Sequence, residues 1–150
     1  MQMKRRHLLK TLAVAGGAAH AGHPGWLMGA ANGPDKRIAV IATIYRPNSH
    51  ADVICGKMLH GWKEDRGAGP RLSPVSMYID QFPEDDMAKK LCLEFDIRLC
   101  KTIDEALTFG TDALQVDGVI SIGEHGDYPW NELEQHLYPR KRFFEDIANA

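Results

Sequence analysis

The run Arg37-Ile38-Ala39-Val40-Ile41-Ala42-Thr43-Ile44 is short, rich in β-formers and almost unbroken in its apolar character. A strand wetted on one face alternates in polarity, and one covered on both faces does not. This run therefore reads as a strand buried on both sides, as in a parallel sheet. On its C-terminal side a polar loop, Tyr45-Arg46-Pro47-Asn48, leads to Ser49-His50-Ala51-Asp52, a capping-box-like start with a hydroxyl at the cap and a carboxylate three residues on. Ala51, Ile54, Cys55, Met58 and Trp62 then recur at helical spacing. A polar, glycine- and proline-containing connection, Lys63 to Pro74, follows.

The same alternation repeats further along. Val75 to Ile79 reads as a strand, and Pro83-Glu84-Asp85-Asp86 as a helix start suited to the macrodipole, with Met87, Ala88, Leu91 and Phe95 on the inner face. Ile97-Arg98-Leu99 reads as a third strand. The helix after it opens on a second capping box, Thr102 to Glu105, and closes near Gly110. Gly118 to Ile122 reads as a fourth strand buried on both faces, with Glu124-His125-Gly126-Asp127-Tyr128-Pro129 as its exit loop. Two helical pieces, Trp130 to Leu137 and Arg140 to Ala148, are expected on either side of Pro139. Four strand–helix cycles imply an α/β class, a Rossmann-like doubly wound parallel sheet. A fifth strand would be due after Ala150, so the expectation is an incomplete sheet and a piece of a longer protein.

The opening residues carry an address. Lys4-Arg5-Arg6-His7-Leu8-Leu9-Lys10 precedes an acid-free apolar stretch from Thr11 to Ala21, the layout of a bacterial twin-arginine signal. Gly16-Gly17, His20, His23, Pro24 and Gly25 interrupt it, which argues against a stable membrane span. Cleavage is expected after Ala21 or after Ala31, with 1–31 as signal peptide and linker and 32–150 as the Rossmann-like domain. The partner implied is the twin-arginine translocase, and the location periplasmic or exported.

Four of the 18 basic residues (Lys4, Arg5, Arg6, Lys10) and none of the 20 acidic ones lie in 1–31, so 32–150 carries 14 basic against 20 acidic residues, a net charge of −6. That balance speaks against nucleic acid as a partner. Lys89-Lys90 and Arg140-Lys141-Arg142 read as solvated helix faces, the latter able to flank a crevice. Cys55, Cys92 and Cys100 have no metal-ligand spacing and read as buried thiols, with a Cys92–Cys100 disulfide as the exception an oxidising compartment would allow.

In the doubly wound strand order the first and fourth strands are neighbours, and ligands sit outside their carboxyl ends. Two loops then meet there. One brings Tyr45, Arg46, Asn48, Ser49 and His50; the other brings Glu124, His125, Asp127 and Tyr128. The turn after the first strand has no glycine, so the dinucleotide fingerprint is missing. Arg46 and Ser49 at the helix start remain able to hold an anion, and Asp80 stands where an acid would bond a ribose hydroxyl. His125, oriented by Glu124 or Asp127, is placed for acid–base work. His50, His125 and Asp127 are the set a metal-assisted hydrolase or isomerase would use.

Arg37 to Ile41, the Thr102-Ile103-Asp104-Glu105-Ala106-Leu107 helix and Val116-Asp117-Gly118-Val119-Ile120-Ser121-Ile122 together resemble the nucleotide-binding domain of the glucose–fructose oxidoreductase and inositol dehydrogenase family. The likeness spans about Lys36 to Ile122. It implies a Rossmann-like fold, NAD(P) as cofactor, a small carbohydrate ligand and, in some members, twin-arginine export with the cofactor bound. On that reading Arg46, Ser49 and Asp80 face the cofactor, and His125 and Glu124 face the substrate. The fourth-strand exit departs from the family's Thr-Pro-Asn type of loop. The Tyr45-Arg46-Pro47 and Gly123-Glu124-His125-Gly126-x-Tyr128-Pro129 runs are closer to uncharacterised exported bacterial proteins. The alternatives are a non-catalytic ligand-binding or scaffold protein that lost the cofactor, and the metal-assisted enzyme.

Overall fold

The computed structural model describes residues 35–62 and 67–150. The export reading of 1–31 and part of the first long connection lie outside the described residues. Among the described residues four strands and four helices alternate: β1 (Lys36–Ala42), α1 (His50–His60), β2 (Leu72–Ile79), α2 (Ala88–Glu94), β3 (Arg98–Cys100), α3 (Ile103–Thr108), β4 (Gly118–Ile122) and α4 (Arg140–Asn149). All pairings are parallel, in the order β3-β2-β1-β4. The Rossmann-like reading holds.

β1 explains the layering. Ala39 through Ala42 are fully inaccessible, and successive side chains point to opposite faces. Val40 and Ala42 join Ala51 and Cys55 of α1 and Leu91 and Cys92 of α2 in one core. Ala39 and Ile41 join Ile103, Ala106 and Leu107 of α3 and Phe143 of α4 in the other. Helices therefore cover both faces of the sheet, which is why the strand could not afford a polar alternation.

Local chemistry places the helix starts. Ser49 Oγ accepts from the Asp52 backbone N–H at 3.3 Å and caps α1. Thr102 Oγ1 accepts from Glu105 N–H at 3.0 Å, while Glu105 reaches back to Lys101 N–H at 3.0 Å. α2 begins later than Pro83: residues 83–86 form a turn, and Asp86 takes the Ala88 and Lys89 N–H groups. All three cysteines are free and buried. Burial pushes the Cys55 thiol up to about 12 and the Cys92 and Cys100 thiols to about 11, so they stay protonated.

Three further expectations are corrected. β2 starts at Leu72 and takes in Pro74. Ile38 pairs with Pro74 but Ala39 with Ser76, so Val75 is an extra residue in the ladder; a proline has no N–H to give, and a bulge accommodates it. β4 is only half covered, with Ser121 exposed, because it has one strand neighbour among the described residues. Trp130 to Leu137 is no helix. Asn131 Oδ1 accepts from Leu133 and Gln135 N–H at 3.0 and 2.8 Å, Glu134 adopts a left-handed φ of 57°, and Trp130 bridges His136 antiparallel. Asparagine's side chain out-competes the helix for its own neighbours' amides.

Candidate functional site

The crevice begins with β1 and β4 lying side by side, Ala42 opposite Ile122. The pairing continues past both strands. Thr43 N–H donates to Ile122 O at 3.1 Å, and the inaccessible Thr43 hydroxyl donates to the carbonyl oxygens of Ile122 and Glu124. Thr43 thus ties the two exit loops together, a role its apolar-run setting in the sequence conceals.

The fourth-strand loop then turns sharply. His125 and Gly126 have φ of 65° and 105°, a region open to glycine and, among residues with side chains, mainly to Asn, Asp and His. A Cβ on Gly126 would stand 2.7 Å from Tyr128 Cε2 and 2.8 Å from Gln81 Oε1. The Gln81 amide grips the loop from just beyond β2: its Nε2 donates to Asp127 O, and its Oε1 accepts from Asp127 N–H, both at 2.8 Å. Nothing in the sequence around Gln81 marks it out; only the parallel order reveals what it faces.

This geometry brings His50, Glu124 and His125 together. His50 Nδ1 lies 2.5 Å from Glu124 Oε2, and the two histidine rings have centroids 4.9 Å apart. Glu124 Oε1 accepts from Arg140 Nη2 at 3.0 Å, and Arg140 Nε donates to Gly123 O at 3.0 Å. A cleft of about 500 Å³ opens here, lined by His50, Ile54, Ser121, Gly123, Glu124 and Arg140. With Nδ1–H held by a carboxylate, His50 keeps Nε2 for a ligand, the arrangement a general acid–base requires.

Asp80 sits elsewhere. Its Oδ1 accepts from Tyr78 Oη at 2.5 Å and Arg142 Nη2 at 2.6 Å, and its Oδ2 accepts from Tyr128 Oη at 2.7 Å. Burial alone would push the carboxyl up; the hydrogen bonds from Tyr78, Tyr128 and Arg142 outweigh it and hold the group below its ordinary value. The same network, after burial, pushes the Tyr128 hydroxyl up. Arg46 sits in a second cleft of about 640 Å³ with Gln81, Phe82, Asp85, Gly126 and Asp127, its Nη1 4.0 Å from Asp85. Of Arg46, Ser49 and Asp80, only Arg46 lines either of these two clefts.

NAD(P), the cofactor implied by the resemblance, would meet a helix start already partly capped by the chain's own side chains. Ser49 Oγ takes both Arg46 N–H and Asp52 N–H at 3.3 Å, and the Asp52 carboxylate takes Asn48 N–H at 2.9 Å. Three amides at this helix start are thus committed to the chain's own oxygens, and the Asp52 carboxylate beside them would repel a pyrophosphate. Both oxygens of the Asp80 carboxylate are engaged, one by Tyr78 and Arg142 and the other by Tyr128. Among the described residues no three His, Cys, Asp or Glu side chains assemble as a metal-holding group, and no helix is long and apolar enough to cross a membrane.

Comparison with protein-family models, curated proteins and solved structures yields no match to this chain.

Proposed function

We propose that this chain is an exported Rossmann-like protein that binds a small, polar, carbohydrate-like molecule between the β1 and β4 exits and moves a proton on it through His50. The observation that carries this reading is the 2.5 Å contact of His50 Nδ1 with Glu124 Oε2 at the rim of the 500 Å³ cleft. His50 Nε2 accepts a proton from the ligand, Glu124 stabilises the imidazolium so formed, and the proton returns from Nε2 in the second half of the reaction. Such a base contributes about 10²–10⁴-fold. The substrate class follows the resemblance of Lys36 to Ile122 to sugar oxidoreductases, and export follows Lys4 to Lys10. The partly capped helix start, with the Asp52 carboxylate beside it, supports a chain that dispenses with the dinucleotide.

Incubation of the full chain in D₂O with aldoses, ketoses and uronic acids tests the reading by NMR. Deuterium is expected to enter the carbon next to the carbonyl, and His50→Gln is expected to slow this about 10²-fold or more. Sugar binding without exchange would instead favour the non-catalytic ligand-binding protein. NADH and NADPH are expected to leave both fluorescence and melting temperature unchanged; a saturable change in either would restore the cofactor reading. Replacing Arg5 and Arg6 by lysine is expected to hold the protein in the cytoplasm.

A further inference from the structure

We infer that the molecule bound in the His50–Glu124 cleft carries a carboxylate, seated on Arg140; this rests on the reading of that cleft as the acid–base site. Three arginines gather at this end of the sheet. Arg142 is spent on Asp80, Tyr78 and Asp146, and Arg46 lies in the other cleft, beside Asp85. Arg140 differs from both.

Its stem crosses the end of β4 where Gly123 has no side chain: a Cβ there would stand 2.8 Å from Arg140 Cγ. The guanidinium is then fixed from three directions, by Gly123 O at 3.0 Å, by Glu124 Oε1 at 3.0 Å and by the Tyr138 ring at 5.3 Å. Nε and Nη2 each use one hydrogen in this, leaving three of the five that a guanidinium carries. Among the described residues no group takes them, and the Nη1–Nη2 edge is the one left open. That edge matches the two oxygens of a planar carboxylate. Because Nε is anchored, little rotamer freedom is lost when the ligand binds. Glu124 already places one negative charge at the site, so a singly charged carboxylate is favoured over a doubly charged phosphate monoester. A hydroxyl-bearing carbon beside that carboxylate comes within the same cleft as His50.

Thermal-shift titration of the full chain with sodium gluconate, glucitol and inorganic phosphate at matched ionic strength tests this. Gluconate is expected to stabilise saturably, and glucitol and phosphate are not. Arg140→Lys, which keeps the charge but loses the fork, and Gly123→Ala, which displaces the stem, are each expected to raise the gluconate midpoint at least tenfold. Equal stabilisation by glucitol or phosphate, an unchanged midpoint in both variants, or no shift with gluconate would overturn the inference. Deuterium exchange into neutral sugars would persist in those cases if the acid–base reading is sound, so the two failures are separable.

Discussion

His50 Nδ1 and Glu124 Oε2 stand 2.5 Å apart, although 74 residues separate them in the chain. One opens α1 and the other follows β4, and only a parallel sheet with β1 and β4 adjacent brings them together. Both side chains are about half exposed, 53% and 41%, so their attraction is screened by solvent. Exposed pairs of this kind stabilise by about 0.2–1 kcal/mol. Glu124→Gln is therefore expected to lower unfolding free energy in urea by about 1 kcal/mol or less while slowing proton exchange on the ligand as much as loss of the histidine does. A large loss of stability would make the pair a structural device.

Asp80 should behave in the opposite way. Its carboxylate is only 16% exposed and accepts from Tyr78, Tyr128 and Arg142. Asp80→Asn leaves those donors competing for one neutral oxygen and should cost about 2–3 kcal/mol.

The pH dependence follows from the lowered native value of Asp80. The unfolded chain binds this proton more tightly, so the stabilisation is complete above the ordinary aspartate value of about 3.9. It is lost as pH falls from there through the native value. Urea midpoints of the wild type should fall through that window, and those of Asp80→Asn should fall less steeply. Parallel curves would mean the network contributes nothing.

Gly126→Ala tests the loop. A methyl group there meets Tyr128 and Gln81 below 3 Å at a φ of 105°, and strain of this kind costs on the order of 1–3 kcal/mol. Displacing Tyr128 should also release Asp80, so the acid limb of the stability curve should flatten in this variant too. An alanine variant with wild-type midpoints at pH 7 and pH 3 would contradict the clamp.

Tyr45 offers a stabilising change. Its side chain is inaccessible, and its hydroxyl has no hydrogen-bond partner among the described residues. An orphaned buried hydroxyl costs about 1–3 kcal/mol. Tyr45→Phe should raise stability by about 1 kcal/mol in urea unfolding; a loss of that size would show that the hydroxyl is bonded.

Much of this architecture is legible in the chain. The apolar run at Ile38 to Ile44, the caps at Ser49 and Thr102 and the adjacency of the first and fourth strand exits all follow from local pattern and the doubly wound order. The meeting of Glu124 and His125 with His50 was legible for the same reason. The roles of Gln81, Arg140 and Arg142 were not: an amide or a guanidinium announces a partner only once the backbone sets what it faces. Arg140 further depends on Gly123, whose missing side chain matters only because α4 returns across it. Trp130 to Leu137 misleads because helical spacing ignores Asn131, whose side chain takes the amides a helix needs.

Long-range ¹H–¹⁵N spectra of the histidine side chains test the crevice most directly. His50 in its neutral form is expected to carry its hydrogen on Nδ1 with that signal protected from exchange, and Glu124→Gln is expected to remove the protection while leaving the spectrum of His60 unchanged. A His50 that is protonated on Nε2, or that is indifferent to Glu124→Gln, would contradict the acid–base pair and the function built on it.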